Sequence, residues 1–164
     1  MIPVYIGLGS NLSQPEQQIQ KACESLAAIP GSELIKCSSL FQSRPMGPQD
    51  QPNYVNAVAL LNTRLAPDSL LQHTQSIENN QGRVRKANRW GPRTLDLDIL
   101  LFGHMQLDSP HLTIPHSGLQ QREFVLYPLY DIAPNLVLPS GEKLSDLVDA
   151  CPLNGLQKMT NLLV

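Results

Sequence analysis

The chain has 164 residues, is 41% hydrophobic and 16% charged, and carries a net charge of −2. That balance excludes a disordered chain and argues against a generally basic nucleic-acid-binding domain; it suits one globular domain over residues 1–164 with a single substantial core. Cys23, Cys37 and Cys151 have neither metal-ligand nor disulfide-framework spacing, which predicts reduced thiols and a cytoplasmic protein.

Residues 2–8 predict a strand that runs into Gly7-Leu8-Gly9-Ser10-Asn11, where the two glycines predict a tight turn into a helix or, as the alternative, a contact with ligand. Leu12 stands where a dinucleotide fingerprint needs its third glycine, and no Gly-x-x-x-x-Gly-Lys-Ser/Thr loop occurs anywhere. Pro15 suits a first helical position, and Ile19, Ala22, Cys23, Leu26 and Ile29 recur at helical spacing before Pro30-Gly31 ends the helix. Residues 34–41 predict a second strand. Residues 43–52 are too rich in proline and glycine for regular structure and form either a binding loop or a plain surface loop. Residues 54–62 alternate as a third strand, with Tyr54, Asn56, Val58 and Leu60 on one face. An asparagine there needs buried partners or reads a ligand. Pro67-Asp68 opens a second helix with Leu70, Leu71, Thr74 and Ile77 inward, Gln75, Glu78 and Gln81 on its more polar side, and Gly82 as its cap.

Residues 83–93 then hold five cations, Arg83, Arg85, Lys86, Arg89 and Arg93, with no acid and the only tryptophan, Trp90. The sign flips at Asp96 and Asp98, which interrupt the apolar run Leu95, Leu97, Ile99, Leu100, Leu101, Phe102. Strand alternation sets Leu95, Leu97, Ile99 and Leu101 on one face and both aspartates on the other, with Cα atoms about 6.5–7 Å apart. Two carboxylates so close repel unless a cation, a shared proton or solvent relieves them. Mg²⁺ takes one or two carboxylates together with phosphate oxygens, and a cationic segment supplies the other side of a phosphate. The bland alternative is an edge strand with solvated aspartates; the adjoining cations and Trp90 favour a phosphate-and-metal site.

The order strand, helix, strand, strand, helix, strand predicts an α+β, ferredoxin-like fold: a largely antiparallel sheet with helices packed on it and long substrate-binding loops. Beyond it, residues 107–116 are short and proline-bounded, and His116 follows Pro115. Residues 124–129 and 132–134 predict core and loop, and residues 145–150 a short last helix. The tail from Pro152 carries no clear pattern. No apolar run reaches membrane-span length, so no membrane partner is expected.

The run from Arg89 to Leu100, Arg-Trp-Gly-Pro-Arg-Thr-Leu-Asp-Leu-Asp-Ile-Leu, resembles the signature of the 6-hydroxymethyl-7,8-dihydropterin pyrophosphokinase family of folate biosynthesis. The likeness extends to Gly9-Ser-Asn-Leu12, to the loop from Gly47 to Pro52 with Tyr54 and Asn56, and to Pro115-His116 with Arg122 and Phe124. The resemblance implies transfer of pyrophosphate from ATP to the pterin hydroxymethyl group, releasing AMP, with two Mg²⁺ ions carried by Asp96 and Asp98. It implies catalytic roles for Arg83 and Arg93, a pterin pocket of Ser43, Met46, Tyr54, Asn56, Trp90 and Phe124, and ATP contacts from Gln75, Glu78, Arg85, Arg93, Ile99, Thr113, His116 and Arg122. Arg44, His111 and Ser117 depart from residues found in some family members, the latter two at triphosphate contacts. ATP and the pterin are the expected partners, nucleic acid is not, and a monomer is expected. Two other readings are a single-stranded nucleic-acid binder that stacks bases on Trp90, and a ligand sensor without turnover. The first leaves the aspartate pair unexplained.

Overall fold

The fold comes from a computed structural model, which describes residues 1–11, 14–44, 53–81 and 95–161. In chain order it comprises β1 (Ile2–Ser10), α1 (Pro15–Ala27), β2 (Ser32–Cys37), β3 (Ser39–Ser43), β4 (Tyr54–Thr63) and α2 (Pro67–Asn80). There follow β5 (Asp96–Phe102), β6 (Leu107–Asp108), β7 (Thr113–Ile114), α3 (Glu123–Ile132), α4 (Leu144–Asp149) and β8 (Gln157–Asn161). The main sheet runs β5-β1-β4-β3-β8, with β2 also paired to β4, and its pairings are antiparallel. Up to β5 this is the expected ferredoxin-like order, with β4 inserted between β1 and the second strand.

The predicted second strand is two, β2 and β3, joined at buried Ser38. The Ser38 hydroxyl accepts from the Val58 N–H at 2.9 Å and donates to the Ser39 carbonyl at 2.8 Å, so it satisfies backbone groups where the ladder breaks. Cys23 of α1 and Cys37 of β2 are free thiols with sulfurs 3.2 Å apart. Their mutual hydrogen bond and burial push the Cys23 thiol upward.

One sheet face is covered by α1 and α2, as the helical spacing predicts. Ile19, Leu26, Leu70 and Ile77 pack there against Val4, Ile6, Val55, Ala57 and Leu61. The opposite face carries a second apolar layer that the sequence reading had assigned to core and loop. Leu126 and Leu129 of α3 and Leu144 of α4 pack on Val58, Leu100 and Leu101. Pro128 lies inside α3 and hid it, because proline is a poor interior helix residue. Within the tail, Gln157–Asn161 form β8, which pairs with β3.

Alternation along β5 also breaks. Between Tyr5 and Ile6 the β1–β5 register shifts, so Tyr5 faces Leu101 and Ile6 faces Ile99, leaving Leu100 as the extra residue of a bulge. Leu97, Ile99 and Phe102 therefore join the first core layer, while Leu100 and Leu101 join the second. The expectation that Leu101 shares a face with Leu97 and Ile99 fails for that reason. A further correction concerns Glu78 and Gln81. Expected on the more polar side of α2, both are buried, and Glu78 Oε2 accepts from the Leu97 N–H of β5 at 2.8 Å.

Candidate active site

The site is built on a row of residues that cross the sheet in register. Asp96 of β5 faces Gly9 of β1, Gly9 faces Asn56 of β4, and Asn56 faces Phe41 of β3. The next row begins Asp98, Gly7, Val58. In-register neighbours share a face, and strands lie about 4.8 Å apart, so the Asp96 and Asn56 backbones are about 10 Å apart across the glycine. Gly7 and Gly9 lie inside β1 instead of forming the predicted turn, and neither has a positive φ. Both line the cleft, where a methyl on Gly9 would touch Asn56 Oδ1 at 3.4 Å and one on Gly7 would touch Leu100 Cδ2 at 3.4 Å. Neither glycine puts a side chain into the space between the carboxylates and the carboxamide, and Leu100 lies over Gly7.

A cleft opens over that floor. Its walls include Ser43, Arg44, Tyr54, Asn56, Asp96, Asp98, Arg122 and Phe124. Asn56 is 4% exposed and is held by two bonds from Nδ2, to Ser43 Oγ at 2.7 Å and to the Phe41 carbonyl at 3.4 Å. That fixes which end of the amide donates and leaves Oδ1 over the space that Gly9 vacates. The Arg122 guanidinium stands 5.8 Å from the centre of the Phe124 ring, within cation–π range. Gly118 makes room for it, since a methyl there would come within 2.5 Å of Arg122 Nε.

At the other end, Asp98 is half exposed, and His116 Nε2 approaches its Oδ1 at 3.9 Å. His116 is oriented twice: its Nδ1 accepts from the Gly118 N–H at 3.1 Å, and its backbone N–H donates to the Leu100 carbonyl at 3.0 Å. With Nδ1 accepting, a neutral ring carries its proton on Nε2, facing Asp98. Two carboxylates side by side at the cleft suit a hard, oxygen-seeking cation that shares its shell with phosphate and water.

The fold brings together seven residues expected at the site, Ser43, Tyr54, Asn56, Asp96, Asp98, Arg122 and Phe124, with His116 beside Asp98. It does not bring Gln75, Glu78 or Ile99 into the cleft. Gln75 is exposed on α2, Glu78 is buried beneath β5, and the Ile99 side chain belongs to the first core layer. Thr113 is exposed on the short β6–β7 ribbon. Met46, Arg83, Arg85, Trp90 and Arg93 lie outside the described residues, as do the predicted cap Gly82 and residues 45–52. The sequence reading missed Arg44 as a wall residue; of its two readings of Gly7 and Gly9 the turn is wrong, and both glycines line the cleft. Two glycines two apart inside an apolar strand were the available signal.

The family described as 7,8-dihydro-6-hydroxymethylpterin-pyrophosphokinase matches over residues 5–134. A Pseudomonas aeruginosa protein named 2-amino-4-hydroxy-6-hydroxymethyldihydropteridine pyrophosphokinase is 54% identical over 156 residues, covering 95% of this chain and 96% of its own. A Haemophilus influenzae protein of the same name is 51% identical over 148 residues, covering 90% of this chain and 92% of its own. Among solved structures, a Plasmodium falciparum HPPK-DHPS protein with pteroate superimposes with a TM-score of 0.73 at 14% identity, over 91% of this chain. This chain spans 42% of that longer protein, and the likeness at that identity is one of fold.

Proposed function

The chain belongs to the 7,8-dihydro-6-hydroxymethylpterin-pyrophosphokinase family, and from that premise we propose how its cleft divides the work. The enzyme transfers pyrophosphate from ATP to the hydroxymethyl group of 6-hydroxymethyl-7,8-dihydropterin, giving the pterin diphosphate and AMP, a step of folate biosynthesis. The pterin occupies the end formed by Ser43, Tyr54, Asn56 and Phe124, and the triphosphate runs toward Asp96 and Asp98. One observation carries this division: a single cleft has a fixed amide and aromatic rings at one end and a carboxylate pair at the other.

Asn56 offers its Oδ1 to the N–H groups of a flat, polar ring, and Ser43 keeps that amide from rotating. Phe124 and Tyr54 supply apolar faces for the heterocycle. Asp96 and Asp98 are the residues that would hold Mg²⁺, two ions in this reading, and bound Mg²⁺ would neutralise phosphate charge as it shifts during transfer. His116, with Nε2–H directed at the Asp98 end, donates to a phosphate oxygen placed there. Arg122 has the same office from the α3 side. In the reaction the hydroxymethyl oxygen attacks the β-phosphorus, its proton leaves to solvent or phosphate, and the bond to the α-phosphate oxygen breaks to release AMP. Positioning and charge stabilisation carry such a step without a covalent intermediate.

Met46, Trp90, Arg83, Arg85 and Arg93 complete the proposal, the first two at the pterin and the three arginines at the phosphates. ATP contacts from Gln75, Ile99 and Thr113 remain part of it, while Glu78, buried with its carboxylate on the Leu97 N–H, supports the strand that carries Asp96 and Asp98. The chain is taken to work as a monomer in the cytoplasm; among the described residues no helix is long and apolar enough to cross a membrane.

The test is the nucleotide product. With ATP, Mg²⁺ and the reduced pterin, AMP should rise one-for-one with pterin diphosphate, and neither should form without the pterin. ADP as the main product would refute attack at the β-phosphorus. Binding of both ligands with no product would favour a sensor over an enzyme.

A further inference from the structure

The segment after α4 is tied to the helix that carries Phe124. Glu123, the first residue of α3, accepts from two backbone N–H groups of the tail, Asn154 at 2.6 Å and Leu156 at 2.9 Å. Between them sits Gly155, with φ +90°, a conformation that favours glycine. A methyl on Gly155 would stand 2.9 Å from Arg44 Nε and 3.4 Å from Arg44 Cδ, so the Arg44 side chain lies flat against that turn. Arg44 in turn lines the cleft beside Ser43, Tyr54 and Phe124. Its guanidinium, which carries five donors and a permanent charge, makes no hydrogen bond or ion pair with another described residue.

We propose that Arg44 is a substrate-contacting residue of the pterin end and that Glu123, through the tail turn at Gly155, is the residue that positions it. This rests on the reading that the pterin occupies this end of the cleft. Arginine offers a planar fork of donors, and a heterocycle with a ring carbonyl and ring nitrogens offers acceptors to match. A long flexible side chain loses much of its contribution if it must be ordered at binding, so a protein surface that holds it in place raises affinity. The Glu123 carboxylate is suited to the task because it only accepts, and both tail groups only donate. A glutamine there would turn an NH₂ toward an N–H and lose one of the two bonds.

The test is steady-state kinetics of the full chain carrying Arg44→Ala, Glu123→Gln and both together, with melting temperature recorded for each. Arg44→Ala should raise KM for the pterin about tenfold, the scale of one charge-assisted hydrogen bond, while KM for ATP and kcat hold. Glu123→Gln should raise pterin KM in the same direction by a smaller factor. The double variant should match Arg44→Ala alone, because Glu123 acts through Arg44. Multiplied effects in the double variant, or equal rises in both KM values, would overturn the positioning relay. Asn56→Ala, measured in parallel, separates the two levels of argument. If it raises pterin KM while Arg44→Ala does not, the Arg44 inference fails alone. If neither variant moves it, the pterin assignment of the cleft fails and takes the inference with it.

Discussion

Asp98 and Glu78 sit on either side of the same strand and show how differently two carboxylates are used. Asp98 is half exposed and faces the cleft, whereas Glu78 is 3% exposed and accepts the Leu97 N–H from beneath. Asp98→Asn keeps shape and removes charge, so melting should barely change. If Asp98 holds Mg²⁺ as proposed, turnover should fall by a hundredfold or more, the scale of a metal-held charge worth several kcal/mol at the phosphoryl centre. Near-normal kcat would remove Asp98 from the chemistry. Glu78→Ala should do the reverse in emphasis. It strands a buried N–H in β5 and should destabilise the fold by about 1–3 kcal/mol in urea melts; an unchanged midpoint would show that water replaces the carboxylate. The Asp96/Asp98 pair was legible from alternation alone, because period two is local. Glu78 was not, since a buried acid on a helix reads as a solvated one until its partner strand is known.

Elements were legible wherever their signals were local and unopposed. Pro15 and Pro67 marked helix starts that proved correct, and the alternation in β4 gave both of its faces. The failures have a common cause, the competition of distant contacts with local pattern. The bulge at Leu100 comes from pairing with β1, and α3 survives Pro128 because its apolar side is buried against the sheet. The tail has no pattern of its own and is ordered by polar contacts. Asp131 of α3 accepts from the Ser39 N–H at 2.8 Å and from Lys158 Nζ at 3.3 Å, which links α3, β3 and β8. Partial burial opposes the charged form of Asp131, but the Ser39 N–H and Lys158 prevail and hold its carboxyl below the ordinary 3.8. A lowered native value means the unfolded chain binds the proton more readily, so this stabilisation is present above the ordinary value and disappears as pH falls through the native one. Asp131→Asn should therefore melt below the wild type at pH 7, and the gap should close as pH drops from about 4 downward. A gap that persists unchanged at pH 2.5 would show that the effect is one of packing and not of charge.

At the scale of the molecule, one sheet is buried on both faces, and the two layers do different work. The α1–α2 layer packs on the face away from the cleft. The α3–α4 layer shares its face with Asp96, Asp98 and Asn56, and α3 also delivers Phe124, with Arg122 just before it. Leu26 of α1 and Leu126 of α3 are both fully buried leucines, one in each layer. Truncating either to alanine leaves a cavity and should cost about 2–5 kcal/mol of stability. If the layers are as distinct as the packing indicates, the functional outcomes should part. Leu26→Ala should retain wild-type KM for both substrates in the folded fraction, because the sheet stands between the cavity and the cleft. Leu126→Ala lies two residues from Phe124 on the same helix, so a shift of α3 by a few tenths of an ångström reaches the pterin end directly. Its pterin KM should rise several-fold below its melting temperature, with a smaller change for ATP. Stability is measured by urea titration and KM at a temperature where both variants stay folded. A Leu26→Ala enzyme with the same rise in pterin KM would mean that the sheet transmits strain between its faces, and that the second layer is not a separate support for the site.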